Sequence, residues 1–536
     1  MKVLFYFIPT WNQSENDWST AFPEWYFTTN KMEFDDTVNQ LMMFRQSEEK
    51  LKAVILEYAP MLRDFLQRQD LYEIDYYSIF DDLQDTHLDN IRPVNPFEFA
   101  WPKNAVFIYN PFNVLVRVNN QPYAQMISGN LGQLQRINFF KDNKLSKVYI
   151  FDDRGFLSSI ITYADDEFEK QEFLNLAGEW RFKLDKNGVV VINPLFKQSF
   201  KQEKYNSMKD LISEKYFEFI EDNLTEKDVV VLAGERRHNQ RILDLPKSGK
   251  IIMSIFSNRL DIDQNFPSIE QLMKVDVIVA DTPKNTELVQ SKLAELNIQI
   301  PVLQIPPFDS RLRLGQSQRI RALKLFLLVD KTSTEELELM VDEILQLMQQ
   351  DKRIELILSG YASNSKSMDK LNYLKDRILD TLRITENDVQ TVGTAENQLQ
   401  DEESQDAIQN IKLFKRIEFY RIDSENGLVS KLNFVRLIID MGEDADLYLQ
   451  IAGISAGIPQ INSVPNPYVE HQKNGLIVSD SLELKQALEY YLVGLKHWNE
   501  ALVYAAGKIV QYSSDNLVNL WKDALQLTKK GGKLRE

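Results

Sequence analysis

The sequence predicts an α/β protein built from two parallel-sheet lobes, the first of them interrupted by an antiparallel β-sheet. Three observations carry this expectation. Continuous apolar runs, such as DVVVLA at 228–233 and LKLFLLVD at 323–330, are what strands covered on both faces require. Stretches of helical period lie between such runs, as in alternating strand–helix units. From about residue 105 to 194 the period falls to two, and short alternating runs follow one another at turn signals.

Charge and composition narrow the function classes. Of 536 residues, 62 are Lys or Arg and 79 are Asp or Glu, a net charge of −17. Such a chain is repelled by nucleic acid and by anionic lipid, but not by a neutral polymer such as glycan. It has no cysteine, which excludes disulfides, thiol catalysis and cysteine-ligated metals. The four histidines, His87, His238, His471 and His497, fall at no metal-ligand spacing, so neither a metal nor a cofactor is expected. The apolar start MKVLFYFIP has no cleavage-site pattern, and no run is long enough to span a bilayer. These features predict a cytoplasmic protein.

In chain order, residues 2–8 read as a buried strand stopped by Pro9. The loop that follows, TWNQSENDWSTAFPEWYF, places Trp11, Trp18 and Trp25 among amides and carboxylates beyond a strand's carboxyl end. Ligands of open α/β sheets bind there. Three roles remain open for these rings: contact with glycan, contact with a partner, or packing beneath the loop. Residues 36–69 carry two helical stripes, the second from Leu51 to Leu66 with a break at Pro60, and 71–77 suits a strand. The alternating runs AVFIY, VLVRV, RINFF, KVYIF, FLSSIITY, EWRF and VVVIN form the antiparallel meander. Helical patterning returns at 208–223 and a strand at 228–233, followed by Gly234-Glu235-Arg236-Arg237-His238, either an anion contact or a solvated loop. Strands at 250–255 and 275–280, a helix at 286–296 and a last strand near 300–308 complete the first lobe. The second reads as strand 323–330, helix 334–349, strand IELILSG, helix 372–382, a short strand at 388–392, an acidic solvated stretch at 396–406 and strand 434–440. The expected domains are 1–103 with 201–310, the insertion 104–200, a second lobe 311–505, and a final helix 506–536 that crosses back to the first lobe.

The stretch YLQIAGISAGIPQINSVPNPYVEHQKNGLIVSD at 448–480 reads as helix, Gly-x-Pro turn, strand, Asn-Gly turn and strand. That order resembles the donor-sugar segment of glycosyltransferases of the GT-B fold, which have two Rossmann-like lobes. The resemblance implies a donor pocket at Gly457 and Pro459, with two carboxylates spaced along the preceding segment. At the corresponding positions stand Asp444 and Ala452, and alanine can accept no hydrogen bond. Such enzymes also carry an arginine and a lysine after the first strand of the second lobe, to hold the donor diphosphate. Asp330 and Glu335 stand near those places, with Lys331 the nearby cation. The pocket therefore reads as vestigial, with no catalytic residue.

The segment YIFDDRGFLSSIITY…GEWRF…NGVVVINP resembles the β-sheet insertion of bacterial glycosyltransferases that modify serine-rich adhesins, where it binds a partner subunit and the acceptor polypeptide. With IAGISAGIPQIN, these motifs resemble, over the full length, the first of the accessory secretory proteins of the Gram-positive accessory Sec system. What that implies is a non-catalytic GT-B-like protein, cytoplasmic or held at the inner face of the membrane through partners. It would act with the second and third accessory secretory proteins and a motor ATPase in export of a glycosylated serine-rich-repeat adhesin. The alternatives are an active retaining glycosyltransferase using a nucleotide sugar, and a scaffold for the other two proteins.

Overall fold

A computed structural model describes residues 3–11, 16–21, 34–87, 94–243, 249–257, 259–307, 317–391, 402–479 and 481–526. Contacts divide the chain into two units. One contains residues 1–28, 35–307 and 518–536; the other contains 29–34 and 308–517.

The first unit has a seven-stranded sheet in the order Val302–Gln304, Val277–Ala280, Lys250–Ile255, Val229–Ala233, Leu4–Ile8, Lys50–Ile55, Tyr76–Ser78. All its neighbours are parallel. Chain order reverses at Leu4–Ile8, so the switch point lies between that strand and Val229–Ala233. One expectation is corrected here. Residues 51–55 belong to a strand, not to the front of a second helix, which starts after Pro60 and spans Leu62–Arg68. The run LKAVI is apolar but for Lys52, and a short apolar run fits a strand as well as a helix; pairing with Leu4–Ile8 decides it.

Ten antiparallel strands run in simple chain order from Ala105–Tyr109 to Lys204–Tyr205. Three of the turns place two successive non-glycine residues in the left-handed region: Asn119-Asn120, Asp142-Asn143 and Asp165-Asp166. These are the residue types that tolerate positive φ, and such turns match the right-handed twist of the strands they join.

The turn Asp152–Gly155 fastens this sheet to the parallel one. Arg154 Nε donates to Asp152 Oδ1 at 2.7 Å, and its Nη1 donates to Asp81 Oδ2 at 3.1 Å and to the carbonyl of Thr86 at 3.0 Å. Arg63 reaches Asp81 at 3.2 Å and Asp152 at 3.3 Å. Asp153 Oδ2 accepts from the backbone N–H groups of Arg63 (2.7 Å) and Asp64 (3.0 Å), completing the start of helix Leu62–Arg68. Burial raises the Asp153 carboxyl above the ordinary range, with Arg63 opposing.

The second unit has six parallel strands in the order Ile417–Ile422, Ile354–Tyr361, Leu323–Leu328, Leu437–Asp440, Gln460–Asn462, Gly475–Ile477. Its switch point lies between Leu323–Leu328 and Leu437–Asp440. Of the short strand expected at 388–392, residue 392 lies outside the described residues, and residues 388–391 belong instead to helix Glu386–Thr391. Thr385 and Asp388 cap it reciprocally: Thr385 N–H donates to Asp388 Oδ2 at 2.8 Å and Asp388 N–H to Thr385 Oγ1 at 3.3 Å. Residues beyond 517 belong to the first unit. There Trp521 is buried against Phe44 at 5.4 Å and Lys522 pairs with Glu49 at 2.8 Å.

Arg154→Ala removes one of the two guanidinium groups that Asp81 and Asp152 share, leaving Arg63 as their common cation. The expected cost is about 3–5 kcal/mol in urea unfolding, the range for breaking a buried pair from one side. An effect below about 1 kcal/mol, the level of an exposed pair, would count against the cluster as the fastening.

Candidate functional site

In doubly wound sheets, ligands bind outside the carboxyl ends of the strands at the switch point, with phosphate at a helix N-terminus. In the second unit that place is formed by the loop 329–333 and the loop 441–446. Each loop enters a helix. Ser333 and Glu336 make a capping box for Thr334–Gln350, and Asp446 caps Leu447–Ala456 through the N–H of Leu449 at 2.8 Å.

The polar groups at this place are bonded to one another. Asp330 accepts from the N–H of Tyr361 (3.1 Å), from Asn364 Nδ2 (3.1 Å) and from Ser367 Oγ (2.7 Å). It thereby serves the start of helix Ser365–Leu382, whose own cap residue Asn364 makes no side-chain cap bond. Lys370 Nζ donates to the carbonyls of Val329, Asp330 and Thr332 at 3.3, 3.2 and 2.6 Å. Lys331 pairs with Asp444 at 3.3 Å, and the Glu443 N–H donates to the Lys331 carbonyl at 3.4 Å. The two loops touch: a Cβ on Gly442 would lie 2.7 Å from Lys331 Cβ. Behind them, Asp440 accepts from the N–H groups of Gly442 (3.2 Å) and Asp446 (2.8 Å) and from Gln450 Nε2 (3.3 Å). Burial pushes Asp440 up to about 6, with Asp446 adding to the rise. Asp446 also accepts from the Tyr361 hydroxyl at 2.8 Å, and burial raises both groups.

Of the residues singled out in the sequence, the structure brings Asp330, Lys331 and Asp444 together at this switch point. Ala452 is elsewhere. It is fully buried in an apolar cluster with Phe326, Leu328, Tyr448 and Ile458, so its face of the helix looks into the core. Gly457 closes helix Leu447–Ala456 in the left-handed region (φ 68°), its N–H and that of Ile458 bonding back to Ile454 and Gly453. The carbonyl of Pro459 accepts from Ile438 N–H at 3.1 Å, leading into strand Gln460–Asn462. Sequence reasoning missed Tyr361, Lys370, Asp440 and Gln450. They come in two pairs from two strand–helix segments, Tyr361 with Lys370 and Asp440 with Gln450, and no motif marks either pair.

The tryptophan readings are corrected in favour of packing. Trp11 and Trp18 are 6% and 8% exposed. Trp11 donates to Asp35 Oδ1 at 3.1 Å and lies 4.9 Å from Phe65; Trp18 lies 5.9 Å from Phe173 and 6.5 Å from Phe80. Neither ring offers a free face to a sugar. Trp25 lies outside the described residues, as do the side chains of Arg237 and His238. At the first unit's switch region, Glu57 and Arg241 are both buried. Burial pushes Glu57 up to about 7 in spite of the Arg241 cation. Among the described residues no cluster of His, Cys, Asp or Glu could hold a metal, and no helix is long and apolar enough to cross a membrane.

Two doubly wound sheets, with an antiparallel sheet inserted in the first unit, place the chain in the class of proteins with the GT-B fold. The pneumococcal O-GlcNAc transferase GtfA, solved with UDP and GlcNAc, superposes over 98% of this chain and 99% of its own with a TM-score of 0.64. At 13% identity this likeness is one of fold alone. The chain belongs to the accessory Sec system family of accessory secretory protein 1, whose pattern it matches over residues 4–528. A family member from Streptococcus gordonii is 35% identical over 535 residues, covering 98% of this chain and 99% of its own. The structure of accessory secretory proteins 1, 2 and 3 in Streptococcus pneumoniae contains a chain 31% identical, with a TM-score of 0.79 over 98% of this chain and 99% of that one.

Two outcomes follow from this geometry. The raised Glu57 binds its proton more tightly in the folded chain than in the unfolded one, where a glutamate titrates near ~4.3. Its stabilising contribution is therefore present below about pH 4 and lost as pH rises to about 7. Thermal melting of Glu57→Gln should vary less with pH across this window than melting of the parent; equal slopes would exclude the assignment. Asp330→Ala strips three donors of their acceptor. It should cost about 1 kcal/mol and speed amide exchange at the start of helix Ser365–Leu382.

Proposed function

We propose that this protein is a non-catalytic component of an accessory Sec export system. It assembles with the second and third accessory secretory proteins and serves export of a glycosylated serine-rich-repeat adhesin. In this reading it recognises the modified substrate and presents it, with its partners, to the motor ATPase at the cytoplasmic face of the membrane.

The observation that carries the non-catalytic part is the bonding at the second unit's switch point. Asp330 stands where a donor diphosphate would need a cation, and its oxygens already serve a neighbouring helix. Lys331 is paired to Asp444, and the loop carrying it is hydrogen-bonded to the facing loop. A diphosphate entering there would meet carboxylates; at an effective dielectric of ~20, like unit charges at 4 Å repel by roughly 4 kcal/mol. Family membership supports the export part, and the solved pneumococcal complex of proteins 1, 2 and 3 supports the choice of partners.

The catalytic question is tested by calorimetry with UDP-N-acetylglucosamine and by incubating labelled nucleotide sugar with unmodified serine-rich peptide. No saturable heat and no transfer are expected; turnover that persists through purification would make the protein an enzyme. The recognition part is tested by titrating the complex with glycosylated and bare serine-rich peptide. Tighter binding of the glycosylated form is expected, and equal binding would remove glycan recognition.

A further inference from the structure

The antiparallel sheet has two edges of different character. One ends in the two-residue strand Lys204–Tyr205, which leads into helix Met208–Asn223 and is tied to it by the bond from Tyr205 to Glu214 at 2.8 Å. A short, covered edge is how proteins prevent unwanted strand pairing. The other edge is the five-residue strand Ala105–Tyr109, sequence AVFIY, last in the sheet order. It contains no charge and no proline, and its pairing with Val114–Val118 runs without a bulge. Among the described residues, neither a charge, a proline nor a bulge within the strand guards it.

Its side chains are apolar and open. Val106 is 59% exposed and Ile108 41%, with Leu115 directly across from Ile108 on the same face. At the tip, Tyr109 is 66% and Phe112 51% exposed. The tip is held in shape, because Asn110 Oδ1 accepts from the N–H groups of Phe112 (2.9 Å) and Asn113 (3.0 Å). The strand's other face is anchored: Ala105 and Phe107 pack on the cluster of Val116, Ala124 and Ile137.

The charge around this edge is the reverse of the charge of the whole chain. Residues 99–141 contain no Asp or Glu, although the chain has 79 such residues in 536. They do contain Lys103, Arg117, Arg136 and Lys141, a local charge of +4 in a chain of −17. A second copy of this chain would bring the same uncharged strand with its basic flanks to the edge and be repelled.

We propose that Ala105–Tyr109 receives an extended apolar strand, flanked by acidic residues, from a partner protein of the export complex, which adds to the sheet as an eleventh strand. Backbone hydrogen bonds supply the affinity, Val106, Ile108 and Leu115 supply apolar contact, and the basic residues select the partner's flanks. This rests on the reading that the chain assembles with the second and third accessory secretory proteins, and names the surface that reading leaves open.

The experiment uses the full chain, alone and co-purified with those two proteins, read by hydrogen exchange and by affinity. The Phe107 and Tyr109 amides, which alternate with those paired to Val114–Val118, should gain protection in the complex. The double variant Val106→Lys, Ile108→Lys should weaken assembly at least tenfold while leaving exchange in the other nine strands unchanged, and raised salt should weaken the parent complex. A parent complex in which the edge amides stay unprotected and the variant binds normally overturns the edge assignment and leaves the assembly reading standing. Failure of the parent to form a complex with either protein overturns both. Concentration-dependent protection of the chain alone, abolished in the variant, makes the occupant a second copy and overturns the choice of partner.

Discussion

Two arginines and three aspartates hold the first unit together across its two sheets. Arg63 and Arg154 bridge Asp81, Asp152 and Asp153, which lie on a helix end and a hairpin turn far apart in sequence. Two packed sheets of different pleat and twist have no common hydrogen-bond ladder, so something other than backbone pairing must set their register. Planar guanidinium groups with several fixed donors suit that task, because each can satisfy acceptors from three elements at once. Burial makes the arrangement all-or-none: with every partner present the cost of desolvation is offset, and with one absent a charge is stranded.

The second unit repeats the doubly wound order of the first, and the polar side chains at its switch point are bonded to backbone and to one another. Asp330 and Lys370 act on the same loop from opposite directions, the carboxylate drawing in donors and the ammonium drawing in carbonyls. The helix that follows this loop starts with a capping box of its own. Each unit's sheet and helices form a separate apolar core, and a fold of this kind does not by itself fix a chemistry, which rests on a few loop residues.

The inserted sheet divides its tasks between its two ends. Its later strands share the core of the first unit through Val148, Phe173 and Phe182, while its first strands carry basic residues as their only charged ones and end in an apolar edge. An edge of that kind is a template for pairing with another strand, which is the basis for assigning that end to assembly.

Much of this was legible in the residues alone. Apolar runs marked the parallel strands, a period of two marked the meander, and Asn119-Asn120, Asp153-Arg154-Gly155 and Asp185-Lys186-Asn187-Gly188 marked three of its turns, because these follow from local sterics and from which faces are covered. Local pattern failed where a tertiary neighbour made the choice: residues 51–55 became a strand because Leu4–Ile8 lay alongside to pair with them. Spacing from Gly457 picked out Ala452 but not the face it occupies, which the surrounding core determined. Trp11 and Trp18, polar in their sequence surroundings, went inside because Phe65, Phe80 and Phe173 converge there from distant segments. Sequence by itself determined the two-lobed architecture with its inserted sheet, since strand and helix patterns are local properties of the chain. Only the tertiary structure decided that Asp330 is bonded to Tyr361, Asn364 and Ser367, and Asp446 to the Tyr361 hydroxyl, because partners on separate strand–loop segments meet where the strands end.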